Sequence, residues 1–267
     1  ILQSHRGAGV LAPENTLEAF ELGWKLGTYP EADVRTTKDG VIVAFHDANF
    51  SRVVKGASEE LKKKGVQDLT FEELSKLDVG SWHGDEFEGR RVSRMTEVFE
   101  LMRGKPERHL YLDIKNVDLR KLADEVKAAG VTRQVILASP KPEIIREWKS
   151  YIPESETLLW MSGDENSRRK RLEQLKKENF EGITQLQIHI HPNKNRETPD
   201  PFMPSNEFII ETGEELRRRN ILYQALPYTD DITVYATLLD LGLGSFSTDY
   251  PDKTLNEIKA YYKKRGK

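Results

Sequence analysis

Two rhythms of apolar residues alternate along the chain. Runs such as Leu110-Tyr111-Leu112, Val135-Ile136-Leu137 and Leu158-Leu159-Trp160 have strand length and polar borders. Between them apolar residues recur every third or fourth position, the period of a helix with one buried face. In order, Leu2-Gln3-Ser4 reads as a short strand. Asn15 or Thr16 then caps a helix over about Leu17 to Leu26, stopped by Gly27. Glu31 to Thr36 is a strand, Lys38-Asp39-Gly40 a turn, and Val41 to Phe45 a fully apolar strand. From about Asn49 to Arg91 the rhythm stops. That stretch is polar and turn-rich, with a small helix around Phe71 to Leu77, and reads as an insertion over one end of the domain. Alternation resumes with strands at His109–Lys115, Val135–Ser139, Thr157–Met161, Gly182–Ile190, Ile221–Leu226 and Ser245–Thr248. The helices between them end at Gly130, lie around Ile144–Trp148, span Glu165–Glu178, run to Arg219, lie around Ile232–Leu241, and start at about Lys253.

This gives nine strand candidates. With one arm of the early hairpin as a return strand, eight parallel strands remain. That predicts a closed (β/α)8 TIM barrel, one domain over 1–267 with an insertion at about 49–91. Chemistry in such barrels collects at the C-terminal ends of strands, where His5, His46, Asp113, Lys115, Ser139, His189 and Asp249 fall. The turn at Lys38-Asp39-Gly40 folds its second strand back antiparallel, so the start of the first lies beside His46. Glu31 and Asp33 share one face because strand side chains alternate.

Composition narrows the chemistry. The 267 residues suffice for a large core, and the absence of cysteine excludes disulfides, thiolate metal sites and cysteine nucleophiles. A net charge of −3 argues against a nucleic-acid partner. No apolar run approaches the roughly 18–20 residues that span a bilayer, so stable membrane insertion is not expected. The first residue is Ile rather than Met, which fits a trimmed chain. Export, to the periplasm or beyond, is the favoured expectation over the cytoplasm.

Glu31, Asp33 and Asp113 are three carboxylates near strand ends among apolar neighbours. Gathered together they raise one another's pKa, and a hard divalent cation, Ca²⁺ or Mg²⁺, relieves this through oxygen ligands. An E-x-D pair alone is ordinarily a pair of surface carboxylates, and a lone strand-end histidine is ordinarily structural. Two such histidines, His5 and His46, beside the acidic pair point to general acid–base work. Arg6 offers a planar fork for phosphate oxygens, and Lys115 shares a strand face with Asp113. His189 and His191 have the spacing of a transition-metal pair but no evident third ligand, and the loop His191–Pro204 reads as a pocket rim. The runs Arg168–Arg171 and Arg217–Arg219 read as solvated helix faces.

Five strings, His5-Arg6-Gly7, Pro13-Glu14-Asn15-Thr16, Glu31-Ala32-Asp33-Val34, Thr37-Lys38-Asp39-Gly40 and Phe45-His46-Asp47, resemble the glycerophosphodiester phosphodiesterase family. So do Leu69-Thr70-Phe71-Glu72-Glu73-Leu74 with Gly80-Ser81-Trp82, Leu112-Asp113-Ile114-Lys115, and Thr248-Asp249-Tyr250-Pro251. The resemblance implies a TIM barrel, one divalent cation, and hydrolysis of glycerophosphodiesters to glycerol 3-phosphate and an alcohol. It implies His5 and His46 as the acid–base pair, Glu31, Asp33 and Asp113 as metal ligands, and Arg6 and Lys115 on phosphate. Asp113 stands where Glu is common, which also resembles sphingomyelinase D-like phospholipases. Tyr29-Pro30 replaces the usual hydrophobic residue and Gly. Gln224-Ala225-Leu226-Pro227 replaces a Trp-Thr-Val-Asn string, which predicts the loss of an aromatic wall. Two rival readings follow: a lipid phosphodiesterase of the lysophospholipase D or sphingomyelinase D kind, and a catalytically silent phosphodiester-binding barrel.

Overall fold

The computed structural model of the chain describes residues 1–193 and 200–266. Among them are ten strands. These are β1 (Leu2–Ser4), β2 (Tyr29–Thr36), β3 (Ile42–Ala44), β4 (Leu110–Asn116), β5 (Val135–Ser139), β6 (Glu156–Met161), β7 (Gln185–Pro192), β8 (Phe202–Met203), β9 (Leu222–Pro227) and β10 (Ser245–Thr248). Helix α1 (Leu17–Lys25) follows β1, and α2 (Phe71–Leu74) and α3 (Met95–Met102) follow β3. Beyond β4 come α4 (Leu119–Ala129), α5 (Pro142–Tyr151), α6 (Glu165–Lys177), α7 (Asn206–Arg218), α8 (Val234–Asp240) and α9 (Pro251–Lys264).

Eight strands pair in parallel in the order β1-β2-β4-β5-β6-β7-β9-β10, and β10 pairs back onto β1 to close a (β/α)8 barrel. The other two are antiparallel. β3 returns along β2 with Val34 opposite Ala44 and Thr36 opposite Ile42, as the turn at Asp39-Gly40 predicts. β8 lies along the end of β7 and is an addition to the nine expected strands. Helix α3 was also not anticipated. Its Met95, Val98, Phe99 and Met102 recur at helical spacing and are fully buried, at roughly 1.5–3 kcal/mol for each large apolar side chain.

Alternation along the strands separates core from site. Ala32 and Val34 on β2, Leu110 and Leu112 on β4, and Ile188 and Ile190 on β7 pack in the main apolar core. Glu31, Tyr111, Asp113 and His189 take the opposite face, into the barrel. Below the site the lumen is polar: Tyr111 donates to Gln185 at 2.7 Å, and Gln224 donates to Ser245 at 3.0 Å. Between β3 and α3 the chain carries its own apolar cluster. Phe50, Val53, Val66, Leu69 and Leu74 pack against Val43 and Phe45, so this stretch rests on the return strand. Among the described residues no helix is long and apolar enough to cross a membrane.

Candidate active site

The site is built where β1, β2, β4, β6, β7, β9 and β10 end. Strand pairing sets Asp33 directly beside Asp113, with Glu31 two residues earlier on the same face. The three carboxylates are buried, and one oxygen from each lies within 4.8 Å of the others. Asn15 holds Asp33 twice: its amide donates to Oδ2 at 2.8 Å, and its Oδ1 accepts the Asp33 backbone N–H at 3.0 Å. Asn15 reaches there from a left-handed backbone (φ 58°), which leaves Thr16 to cap α1. The Arg6 backbone N–H, also left-handed (φ 52°), donates to Glu31 at 2.9 Å. Trp160 donates its indole N–H to Asp113 at 3.2 Å.

Lys115 enters this cluster. Its Nζ lies 2.6 Å from Asp113 Oδ2 and 3.1 Å from Asp33 Oδ1. Asp33 Oδ1 is buried and accepts no hydrogen bond. Burial opposes ionisation of Asp33, yet Lys115, His46 and Arg6 outweigh it and hold this carboxyl below its ordinary range. Burial and then the Asp33 charge push Glu31 up to about 7, against the pull of His5. Three buried carboxylate oxygens within reach of one another fit a hard divalent cation better than a thiophilic metal.

The two histidines are held alike. His5 Nδ1 meets Asp249 Oδ1 at 2.7 Å, and His46 Nδ1 meets Asp47 Oδ1 at 2.7 Å. A carboxylate on Nδ1 fixes the tautomer and leaves Nε2 for the cavity that both residues line. His5 Nε2 is 3.8 Å from Glu31. Burial disfavours the imidazolium of His5, but Glu31 and the bond to Asp249 outweigh it and carry the pKa up to about 9. His46 sits where the hairpin puts it: the Phe45 backbone N–H donates to the Asp33 carbonyl at 2.7 Å. Arg35 fixes the following carbonyl, donating to His46 O from Nη2 at 2.8 Å. Arg6 lines the cavity and pairs with Glu14 at 3.1 Å.

All seven residues expected from the sequence therefore meet in one place. Asp249, Asp47, Asn15 and Trp160 complete their surroundings. Asp249 stood at a strand end, and Asn15 beside a capping threonine, but neither position named its partner. The aromatic wall is present, contrary to expectation. Trp160 stacks on His189 at 5.2 Å and 13°, and Tyr228 meets His189 edge-on at 5.2 Å. Tyr228 lies just beyond the Gln224-Ala225-Leu226-Pro227 string, and β6 supplies the indole. His189 and His191 are stacking residues: His191 lies on Tyr228 at 4.8 Å and 6°. Burial and then Arg168 hold His189 down at about 4, so it is a neutral ring at neutral pH. Of the expected rim His191–Pro204, residues 194–199 lie outside the described residues. Of the arginine runs expected as solvated faces, Arg169 binds Glu165 and Glu211, and Arg218 and Arg219 bind Glu215, whereas Arg168 is buried because α6 turns it toward the barrel. The cavity measures about 230 Å³, below the roughly 300–1,000 Å³ of drug-sized sites.

A sequence profile of the glycerophosphoryl diester phosphodiesterase family matches residues 5–253. The chain is 34% identical over 157 residues to a glycerophosphodiester phosphodiesterase from Caldanaerobacter subterraneus subsp. tengcongensis, covering 56% of this chain and 62% of that protein. It is 32% identical over 154 residues to a lysophospholipase D from Homo sapiens, covering 54% of this chain and 46% of that one. The matched stretch thus spans about half the length of these curated relatives. A phosphodiesterase from Oleispira antarctica, solved in complex with the product sn-glycerol-3-phosphate, superposes with a TM-score of 0.69 at 25% identity. That superposition covers 97% of this chain and 96% of the other.

Proposed function

The chain belongs to the glycerophosphoryl diester phosphodiesterase family, and on that premise we propose that it hydrolyses glycerophosphodiesters to glycerol 3-phosphate and an alcohol. One observation carries the reading: two imidazoles, each fixed at Nδ1 by a carboxylate, share one small cavity with a buried triad of carboxylates. His5 and His46 work as the acid–base pair. One takes the proton of the attacking oxygen as its bond to phosphorus forms, and the other protonates the alcohol oxygen as its bond to phosphorus breaks. The attacking oxygen is water or the neighbouring glycerol hydroxyl; the latter gains from proximity and gives a cyclic phosphate that water then opens. Glu31, Asp33 and Asp113 would hold a divalent cation, Ca²⁺ or Mg²⁺, which when bound would supply positive charge to offset that of the phosphodiester and favour deprotonation of the nucleophile. Arg6 and Lys115 face the cavity and bind the phosphate.

The lysophospholipase D reading asks for an apolar rim. Among the described residues of the loop before α7, Met203 is 51% exposed, whereas Phe202 is 8% exposed and joins the main core. One exposed methionine favours a small head group over an acyl chain. A turnover screen decides. Glycerophosphocholine, glycerophosphoethanolamine and glycerophosphoglycerol are run beside lysophosphatidylcholine, each with added Ca²⁺ or Mg²⁺, and release of glycerol 3-phosphate and of choline is measured together with substrate binding. Release from the glycerophosphodiesters supports the proposal. Choline release from the lysolipid alone supports the lipid reading, and binding without any turnover supports a silent barrel.

A further inference from the structure

Outside the cavity, one side chain touches two of the carboxylates that brace its charged groups, those behind His46 and Arg6. Arg52 lies in the turns after β3. Its Nε donates to Asp47 Oδ2 at 2.8 Å and its Nη2 to Asp47 Oδ1 at 3.0 Å. The same guanidinium donates to Glu14 through Nη1 at 2.7 Å and Nη2 at 2.7 Å. Asp47 Oδ1 is the atom that holds His46 Nδ1, and Glu14 is the carboxylate that pairs with Arg6. Glu14 and Asp47 are both mostly buried, so each needs its charge met. Trp82, whose indole N–H is tied to the Val79 carbonyl at 2.9 Å, lies 5.3 Å from the guanidinium carbon. The planar fork is thus held against an aromatic face while both its edges are used.

We propose that Arg52 is a positioning residue: one guanidinium sets Asp47 behind His46 and Glu14 behind Arg6, which couples the segment after β3 to the chemistry. The proposal rests on the catalytic reading of His46. Arg52 touches no reacting atom, and its effect passes through Asp47 to the imidazole tautomer. A purely structural arginine would fasten the same segment without biasing the His46 ring. Lysine cannot replace it, because a single ammonium does not span two carboxylates edge to edge.

Two measurements test this on the full chain. The first is turnover of glycerophosphocholine by wild type, Arg52→Ala, Arg52→Lys and Asp47→Asn, alone and combined, with thermal midpoints recorded for each. Loss of alignment predicts a fall in kcat on the order of 10²-fold for Arg52→Ala, with a much smaller change in KM. It further predicts partial recovery by millimolar guanidinium but not by equal KCl, and a loss in Arg52→Ala/Asp47→Asn well below the product of the single losses. The second is independent of turnover: ¹⁵N shifts of the His46 ring nitrogens, which report where the proton sits. Wild type should hold the proton on Nδ1, and Arg52→Ala and Arg52→Lys should show a mixed tautomer. Folded variants with kcat within threefold of wild type would overturn the proposal, as would losses that guanidinium leaves untouched or a His46 tautomer unmoved in both variants. Were wild type itself inactive, the catalytic reading would fall, and the ¹⁵N shifts would still decide the positioning role.

Discussion

Replacing Lys115 by Met keeps the apolar stem and deletes one charge from the middle of the carboxylate triad. Nζ lies 2.6 Å from Asp113 and 3.1 Å from Asp33, and Asp33 is fully buried. Taking one partner from a buried ion pair costs roughly 3–5 kcal/mol. Lys115 is 21% exposed, which puts the loss at the lower end, about 3 kcal/mol. At this chain length about 2 °C accompanies each kcal/mol, so the metal-free variant should melt about 6 °C below wild type. A divalent cation on the same oxygens replaces the missing charge. The deficit should therefore shrink in millimolar Ca²⁺ or Mg²⁺, and calorimetric titration should show tighter cation binding by Lys115→Met than by wild type. Differential scanning calorimetry of both proteins, in EDTA and in cation, reads the difference directly. Equal deficits in the two buffers, or none in EDTA, would refute the idea that lysine and cation answer the same carboxylates.

The remaining predictions concern the imidazoles and the cation. His5→Ala and His46→Ala should each lower kcat by at least ~10²-fold on glycerophosphodiesters, and a near-wild-type rate in either removes that residue from the chemistry. EDTA should abolish turnover and Ca²⁺ or Mg²⁺ restore it; an enzyme indifferent to chelation leaves the triad without a cation. Asp249→Asn should bring the His5 pKa of the metal-free protein down from about 9 by on the order of one unit, followed by NMR titration. The native imidazole binds its proton more tightly than the ordinary 6.5, so this increment is fully present below pH 6.5 and is lost as pH rises through about 9. Asp249→Asn should flatten that alkaline loss, and an unchanged pH–stability curve counts against the His5–Asp249 bond.

Much of this arrangement is legible in the residues because it rests on short-range geometry. The two-residue period puts Glu31 and Asp33 on one face, and a Gly-containing turn returns the chain to His46. Both follow from local sterics. Parallel pairing with β4 was expected from the alternation of elements, and it supplies Asp113. What escaped depends on distances that no local pattern encodes. Asn15 reads as a cap and serves Asp33 instead, because its left-handed backbone turns the amide toward β2. The aromatic wall was expected to be missing, since the Gln224-Ala225-Leu226-Pro227 string within β9 lacks Trp. Trp160 on β6 and Tyr228 past β9 supply it, and which rings meet across a barrel follows from strand register. Arg52 reads as one charge among many until the fold lays it across Glu14 and Asp47. Helix α3, by contrast, has plain helical spacing at Met95, Val98, Phe99 and Met102, so its signal was local.

The bond between His5 and Asp249 joins positions 244 residues apart. The strand that carries His5 is also the one on which the barrel closes, held between β10 and β2. The oxygens of the triad come from β2 and β4, whereas the carboxylate that sets the His5 tautomer follows β10, the strand that closes the ring. The His5 tautomer is thus set only where the last strand docks against the first, so closure of the ring and orientation of this imidazole are one and the same event.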